Sequence, residues 1–364
     1  MIYNIAGLNV EICGNSQMNK SVVCFVRESE NSPYKRATIG DSSTKRELSP
    51  SGEIASPDGI SVYNDENELF SNKAGNKIVA EISGTPADEN GESLYVLYRL
   101  SKYKAGAAQG VLAPDFRIYY KILPEISEPS GEYLGDLRGF SFFREENGFS
   151  LVKKIPEIDE ILAKITFDSE FYSASIEIFD VSGMGGLTLD DRIHSYVGEA
   201  FAYLALKHGR VVFHSSAMSH NGKGVCFSAP SGTGKSTHTG LWKTHYGDNT
   251  EIINDDTPVL YIDSENAVLC GSPWSGKTEL NINKTVPLKG IVFLERSIDN
   301  RINKIGGLSA LRQFFSEAKI PQIPELFNLG VDIAGKILEK TPVYVLGCNI
   351  SKDAVDLVKN TLEM

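Results

Sequence analysis

The spacing of hydrophobic positions changes about halfway along the chain. In the first half, apolar and aromatic residues form short runs rich in β-branched side chains, which is typical of strands. The runs that predict strands are 21–26, 93–100, 116–123, 139–143 and 173–179. The segment 27–59 is dense in Ser, Pro, Gly and charge, and this composition predicts a mobile surface loop. The pattern therefore predicts a β-rich first half and indicates no role for it.

A helical period appears after the glycine-rich segment 183–186. Ile193, Val197, Phe201 and Leu204 recur at intervals of four, four and three residues, which gives one apolar stripe. Beyond this helix, strands and helices alternate to the end of the chain. Strands are predicted at 211–217, 225–228, 251–253, 259–262, 267–270, 290–294 and 343–346, and helices at 234–246, 308–318, 324–338 and 351–362. We expect an α/β (α+β) chain with a β-rich domain at 1–185 and a second domain at 186–364.

Charge and cysteine usage narrow the class of protein. The formal net charge of −11 argues against sequence-independent nucleic-acid binding, which needs a basic face. The five cysteines are far apart and predict neither a disulfide framework nor a zinc site. No apolar run approaches the roughly 18 residues of a membrane span, and the first residues lack the features of a signal peptide. These observations predict a cytoplasmic protein with no nucleic-acid or membrane partner.

Two segments, 229–236 and 271–278, fit the pattern of a phosphate-binding loop. Such a loop needs glycines so that backbone N–H groups turn toward the phosphates, a lysine for the β/γ-phosphates, and a hydroxyl for Mg²⁺. Ala229 replaces the usual first glycine in the first segment, whereas the second matches fully. Only the first follows an apolar strand and leads into a helix, whose N-terminus would face the anion. The second runs into β-like residues and Pro287.

The first segment is therefore predicted to be the nucleotide site, and the second is not expected to be an independent one. Lys277 and Trp274 are instead candidates for a loop on the substrate or phosphate side. The residues predicted to contact nucleotide are Ser231, Gly232, Thr233, Gly234, Lys235, Ser236 and Thr237.

Three further side chains are predicted to join this site. The apolar run 252–253 ends in Asp255 and Asp256, and a strand end is where a carboxylate must lie to hold Mg²⁺ beside Ser236. Adjacent strand residues face opposite sides, so the two aspartates are expected to have different functions. His214 lies in an apolar strand whose hairpin partner, after the Asn-Gly turn at 221–222, leads into the loop. We therefore expect His214 near the phosphates.

In this order and spacing, these motifs resemble the superfamily of HPr serine kinases and phosphoenolpyruvate carboxykinases. Residues 205–350 are most similar to uncharacterised bacterial HPr-kinase-like proteins. The motifs that carry the resemblance are His-Ser-Ser at 214–216, the loop 230–237, Asn-Asp-Asp at 254–256, the loop 271–277 and the strand 287–296. The resemblance implies an HPr-kinase-like P-loop domain that uses ATP and Mg²⁺. The downstream glycine-rich signature of HPr kinases and the substrate motifs of the carboxykinases are not found.

The resemblance also implies a role for each matched residue. Lys235 and the loop amides would hold the β/γ-phosphates, and Ser236 and Asp255 would hold Mg²⁺. Asp256, paired with His214, would lie near the acceptor hydroxyl as a base or hydrogen-bond acceptor.

The leading hypothesis is an ATP-dependent kinase that transfers the γ-phosphate to a hydroxyl, such as a serine, of a peptide, protein or small molecule. The alternatives are a non-catalytic ATP-binding regulatory protein and carboxykinase-like phosphotransfer. The paired aspartates favour the kinase, because binding alone needs only one carboxylate for the metal. The sequence does not identify the acceptor, and it leaves open whether the chain forms a homo-oligomer.

Overall fold

The chain folds into two compact units. The computed structural model describes residues 2–15, 22–26, 35–39, 54–55, 61–62, 70–71, 77–79, 99–105, 113–155, 160–179 and 188–364. The P-loop unit comprises Met1–Ile12, Arg99–Arg117 and Gly198–Met364, and the strand unit comprises Cys13–Tyr98 and Ile118–Val197. The domain division at residue 185 stays a prediction. The division seen in the structure differs from the predicted one, because the two N-terminal segments Met1–Ile12 and Arg99–Arg117 belong to the P-loop unit.

Up to residue 179, the described elements are mainly strands. In chain order they are β1 (Ile2–Ile5), β2 (Leu8–Asn15), β3 (Val22–Val26), β4 (Lys35–Ile39), β5 (Ile54–Ala55), β6 (Ser61–Val62), β7 (Phe70–Ser71), β8 (Lys77–Val79), β9 (Phe116–Leu123), β10 (Glu132–Leu137), β11 (Phe140–Glu145), β12 (Gly148–Ile155), β13 (Glu160–Asp168) and β14 (Ser173–Phe179). A 3-10 turn lies at Ser101–Tyr103.

From residue 188 onward, helices and strands alternate. They are α1 (Leu189–Lys207), β15 (Arg210–Val212), β16 (Ser216–His220), β17 (Lys223–Ser228), α2 (Lys235–Tyr246), β18 (Thr250–Asn254), β19 (Val259–Asp263), β20 (Asn266–Cys270), β21 (Thr285–Arg296), β22 (Arg301–Ile305), α3 (Gly307–Glu317), α4 (Pro324–Lys340), β23 (Val343–Cys348) and α5 (Lys352–Thr361). The chain thus has a mixed α/β fold. Among the described residues, no helix combines the length and apolar character needed to cross a membrane.

The strand unit contains an antiparallel meander in the order β9-β14-β13-β12-β11-β10. Along β13, every second side chain is buried, including Ile165 and Phe167. This alternation places one face of the sheet in a core, where Phe171 stacks on Phe149 at 5.3 Å between ring centroids. The period-two pattern of the sequence has this physical origin.

Several predictions in the first half are confirmed, and one is wrong. Strands occur at the predicted positions of β3, β9, β11 and β14. The predicted loop at 27–59 contains β4 and β5, because cross-strand pairing with β3 and β6 outweighs the loop-like composition. Most of the predicted strand 93–100 lies outside the described residues, and its last residue, Leu100, has helical backbone angles. The glycine-rich segment 183–186 also lies outside the described residues.

The sheet of the P-loop unit is built around β21. Its strand order is β15-β19-β20-β21-β17-β16-β18, with β23 beside β21 and β22 beside β23. The first residues of β21 pair antiparallel with β20, and the remainder pairs parallel with β17 and β23. The predicted helices α2 to α5 are found with ends shifted by at most two residues. Strand β22 was not predicted.

Both faces of the central strands are covered. On one face, Trp242 of α2 and Val355 of α5 share a buried cluster with Phe227 of β17. On the other face, the ring of Phe213 contacts Phe293 of β21 and stacks on Phe314 of α3 at 4.9 Å. Strands covered on both sides read as continuous apolar runs, which explains the sequence of β17.

The strand predicted at 211–217 is interrupted. The backbone N–H groups of Phe213, His214 and Ser215 donate to Pro258, Glu317 and Asp256, respectively. These bonds alternate between the stretch 256–258 and the end of α3, so the ladder of β15 cannot continue into β16. His214 consequently lies in a bend between strands, not in the predicted strand.

Candidate functional site

The first glycine-lysine loop, 229–236, joins the end of β17 to the start of α2. Gly232 has φ 77° and Gly234 has φ 117°, which are backbone conformations that residues other than glycine rarely adopt. No atom lies within 4 Å of the point where a Cβ on Gly232 would stand. The loop therefore presents open backbone beside the N-terminus of a helix, which is the arrangement that binds anions.

Two cationic side chains brace this loop. Lys235 Nζ donates to the carbonyl oxygen of Ala229 at 2.9 Å, which ties the end of the loop to its start. Arg296 Nη2, at the end of β21, donates to the carbonyl oxygen of Gly232 at 2.6 Å. The side chains of Ser231, Ser236 and Thr237 are exposed along the same turn. All seven residues predicted to contact nucleotide thus belong to one continuous loop and helix start.

Asp255 is linked to the helix that follows the loop. Ser216 Oγ donates to Asp255 Oδ1 and lies 2.8 Å from Thr239 Oγ1. Thr239 in turn donates to the carbonyl oxygen of Ser236 at 3.1 Å. The other carboxylate oxygen, Asp255 Oδ2, is buried and has no hydrogen-bond partner among the described residues. A buried unpaired carboxylate oxygen is costly, so it points to a ligand.

These residues fit Mg²⁺ bound together with a nucleotide. Mg²⁺ is usually held by one or two carboxylates and the phosphates of its substrate. Asp255 Oδ2 would supply a carboxylate oxygen, and Ser236 would supply a hydroxyl. Among the described residues, no group of three or more His, Cys, Asp or Glu could hold a metal ion. The described residues therefore offer no cage for a metal that is independent of the nucleotide.

Asp256, the neighbouring carboxylate, faces a different set of partners. Its Oδ1 lies 3.7 Å from His214 Nε2, and His214 Nδ1 lies 2.8 Å from Glu317 Oε2. A carboxylate only accepts, so Nδ1 carries the proton in this pair and the imidazole is held with Nε2 toward Asp256. Burial raises the pKa of Asp256 above its usual range, although His214, Lys319 and Lys235 oppose the shift.

The second glycine-lysine loop, 271–278, lies beside Asp256. A Cβ on Gly276 would be 3.2 Å from the Cβ of Asp256, so the backbone of the loop contacts this side chain. Asn254, at the end of β18, donates to the carbonyl oxygens of Ser272 at 2.9 Å and Trp274 at 3.1 Å. The oxygen of the same amide accepts from the backbone N–H of Asp256 at 2.9 Å. One buried amide therefore connects the second loop to the aspartate turn.

The two candidate residues of this loop have different surroundings. Trp274 is 8% exposed, and its ring centroid lies 4.9 Å from that of Phe201 on α1. A Cβ on Gly198 would approach the indole to 2.7 Å, so α1 packs closely against it. Lys277 is exposed in the 3-10 turn Gly276–Thr278. Trp274 thus packs in the core, and a contact of either residue with substrate stays a prediction.

A cavity of about 640 Å³ continues from the first loop. The loop and the start of α2 form one wall, and the ends of β21 and β23 form the other. Ile298 and Ile350 line it although they are 89% and 77% exposed, which places apolar surface at its opening. Other lining residues include Gly232, Thr237, Leu241, Leu294, Arg296 and Asn349. The cavity suits a flat, largely apolar group joined to a phosphate chain.

Sequence reasoning missed two members of this site. Glu317 is the last residue of α3 and lies 103 positions from His214, with no motif that connects them. Arg296 ends the strand motif 287–296, but nothing in the sequence showed that it reaches back to Gly232. Both contacts are tertiary, so no local pattern could have predicted them.

Comparison with known proteins adds a distant structural likeness. No family model and no curated protein matches the chain significantly. Among solved structures, the chain is similar to the HPr(Ser) kinase/phosphatase from Coxiella burnetii, with 9% identity and a TM-score of 0.26. The likeness covers 42% of this chain and 87% of that chain. Similarity at this level supports no statement about shared activity, so function has to be inferred from the residues of the site.

Proposed function

We propose that this protein is an ATP-dependent, HPr-kinase-like phosphotransferase that moves the γ-phosphate of ATP to a hydroxyl group. One observation carries the proposal. Asp256 is held within electrostatic reach of the phosphate-loop Lys235, and its carboxylate faces His214, which is itself fixed by Glu317. Because Asp255 would already hold Mg²⁺, the second carboxylate is left for the acceptor, since a negative charge that no cation neutralises opposes the binding of phosphates.

The raised pKa of Asp256 suits a general base. Burial disfavours its charged form, so the carboxylate takes a proton more readily than an exposed aspartate does. Asp256 would accept the proton of the acceptor hydroxyl while that oxygen bonds to the γ-phosphorus. The bond from the γ-phosphorus to the bridging oxygen breaks, and ADP leaves. His214 would lie beside the carboxylate, with Nε2 3.7 Å from Asp256 Oδ1, and Glu317 would fix the imidazole.

The donor would be held by the opposite side of the site. Lys235 would turn from the carbonyl of Ala229 toward the β/γ-phosphates, and the loop amides would surround their oxygens. Mg²⁺, held by Ser236 and Asp255, would neutralise charge that develops on the phosphates. The cavity beyond the loop would receive the base between Leu241 and the aliphatic side chains of Ile298 and Ile350.

The proposed cytoplasmic acceptor is a peptide, protein or small molecule that carries a hydroxyl, such as a serine. The test is incubation of the purified protein with γ-labelled Mg-ATP and a cell extract, with Asp256→Asn as the control. We expect a component of the extract to acquire label with the wild-type protein but not with Asp256→Asn. If the wild type binds Mg-ATP but neither transfers nor hydrolyses it, the protein is a nucleotide-binding regulator and the proposed activity is wrong.

A further inference from the structure

A short segment that is distant in sequence from the second glycine-lysine loop forms hydrogen bonds with it. This clamp segment, residues 99–103, belongs to the same unit as both loops. Arg99 Nη1 lies 2.8 Å from Glu279 Oε1, and Arg99 Nη2 donates to the carbonyl oxygen of Gly276 at 3.4 Å. The Arg99 side chain is only 9% exposed. A planar guanidinium that spans two partners fixes their relative position.

A second anchor lies a few residues further along. Lys102 Nζ donates to the carbonyl oxygen of Asn281 at 3.1 Å, and the hydroxyl of the buried Tyr103 donates to Asn281 Oδ1 at 3.3 Å. Asn281 Nδ2 donates in turn to Ser275 Oγ at 2.8 Å. The clamp segment therefore touches the second loop and its continuation at both ends of the turn 276–279.

The turn 276–279 needs such support. Gly276 has φ 63° and Glu279 has φ 54°, so two of its four residues adopt the left-handed conformation. For a residue other than glycine, this conformation is strained. Glu279 is the residue whose carboxylate Arg99 binds, and Gly276 is the residue whose backbone contacts Asp256.

We propose that Arg99 is a positioning residue of the acceptor site, which holds the turn 276–279 against Asp256 by bridging Gly276 and Glu279. Its catalytic consequence rests on the proposed function. With the turn in place, the backbone of Gly276 excludes water from one side of the Asp256 carboxylate, and the exposed Lys277 has a defined position beside the acceptor.

The other charged groups around Asp256 come from separate elements. His214, backed by Glu317, lies in the bend after β15, Lys319 follows α3, and Lys235 starts α2. Asp255 is the sequence neighbour of Asp256. Substitution of Arg99 does not change any of these residues, but it allows water to reach the carboxylate of Asp256.

The test compares Arg99→Ala and Arg99→Lys with a control, Arg117→Ala. Arg117 forms an ion pair with Glu11 at 2.7 Å in the same unit, away from both loops. We expect Arg99→Ala to lower kcat for transfer, or for slow hydrolysis of ATP, by about 10- to 100-fold, since misplacement by 1 Å has effects of this size. The stabilisation by Mg-ATP should persist.

Hydrogen exchange measures the turn independently of activity. Amides in 276–282 should exchange faster in Arg99→Ala, and Arg99→Lys should restore part of the protection because lysine keeps the charge but loses the fork. Arg117→Ala should match the wild type in every measurement.

Two results would overturn the inference. One is unchanged exchange in Arg99→Ala, which would show that the turn does not depend on this side chain. The other is faster exchange with an unchanged kcat, which would show that the turn does not serve the reaction. A wild type with no turnover would refute the proposed function alone, and exchange would still decide whether Arg99 supports the turn.

Discussion

The two glycine-lysine loops share a sequence pattern but have opposite structures. In the loop 229–236, the space beside Gly232 is open, and the chain enters a helix of twelve residues at Lys235. In the loop 271–278, a Cβ on Gly271 would be 1.9 Å from the carbonyl oxygen of Ile282. Glycine is required at both places, but for open backbone in one case and for close packing in the other.

The polar groups of the two loops also differ in burial and in their hydrogen bonds. Ser272 and Ser275 in the second loop are completely buried, and the hydroxyl of Ser272 donates to the carbonyl oxygen of Thr257 at 2.7 Å. The corresponding part of the first loop is exposed. The second loop therefore fills its own interior with hydrogen bonds, whereas the first leaves its donors available to a ligand.

This difference shows what a phosphate-loop pattern does and does not establish. The pattern specifies where glycine, lysine and a hydroxyl stand, but the elements that follow it decide whether backbone N–H groups converge. The β-like residues after the second loop predicted that no helix would follow it, and none does: the loop itself ends in the 3-10 turn Gly276–Thr278, and residues 279–284 are not helical. The distinction between the two loops thus rests on context, and it can be tested by removing one group at a time.

The largest effect is expected from Asp256→Asn. Loss of a positioned general base lowers the rate of transfer by about two to four orders of magnitude. Binding of Mg-ATP should be nearly unchanged, because the side chain stays isosteric and Asp255 is intact. Phosphoryl transfer to the labelled acceptor, or slow ATP hydrolysis until it is found, measures the rate. Asp255→Asn is the matched comparison and should weaken Mg-ATP binding itself, and His214→Ala should resemble Asp256→Asn but be milder.

The pH dependence provides a second check on Asp256. A carboxyl whose pKa is higher in the folded state favours folding at low pH, and this contribution is lost as pH rises through the folded-state pKa. Asp256→Asn should therefore raise the melting temperature of the nucleotide-free protein at neutral pH. The wild-type rate should fall as pH drops through the same raised pKa. If Asp256→Asn transferred phosphate at the rate of the wild type, the interpretation as a non-catalytic ATP-binding regulatory protein would be favoured.

Lys235→Ala should have the next largest effect. It removes the charge expected on the β/γ-phosphates, so the stabilisation by Mg-ATP should disappear. For a ligand at 100 times its Kd, that stabilisation is roughly 2.7 kcal/mol. The measurement is the shift in melting temperature on addition of Mg-ATP. An undiminished shift would mean that the first loop is not the nucleotide site.

The sequence predicted much of this site because its parts are local. The glycines, Lys235 and the strand that ends at Asp255 all lie within short segments whose spacing reflects one strand-loop-helix unit and the strand beside it. The hairpin turn is likewise local, since Asn221 and Gly222 both have positive φ. These features follow from backbone chemistry that a few residues determine.

The rest depends on tertiary contacts. Strand β22 consists largely of charged and polar residues and forms because β23 offers an edge to pair with. Glu317 reaches His214 only because the interrupted strand bends toward the end of α3. Trp274, a candidate for a loop on the substrate or phosphate side, packs against α1 at the small residue Gly198. No local pattern records which distant surface will pack on such residues.

Two glycine substitutions compare the loops directly. Gly271→Ala should destabilise the fold by about 1–3 kcal/mol, because its Cβ would collide with backbone that cannot move freely. Gly232→Ala meets no atom, so its effect on the fold should be limited to the roughly 1–2 kcal/mol of a left-handed alanine. Its methyl group would stand in the open loop and should weaken Mg-ATP binding. Urea unfolding measures the loss of fold stability, and the shift in melting temperature on addition of Mg-ATP measures the loss of binding. Equal losses of Mg-ATP binding in the two variants would show that the two loops do not differ in this respect.

The smallest effect on nucleotide binding is expected from Lys277→Ala. Its ammonium group is exposed on a loop whose buried groups are paired internally, so the loop offers no converging N–H groups for a second triphosphate. Calorimetry should give one ATP per wild-type chain and one per variant, with at most a modest loss of affinity. Transfer to the acceptor should suffer more than ATP binding, because Lys277 adjoins Gly276, which contacts Asp256. Lys243→Ala, on the exposed side of α2, is the control for loss of one surface charge. Two ATP per wild-type chain, falling to one in Lys277→Ala, would show that both loops bind nucleotide and that the structural difference between them does not decide function.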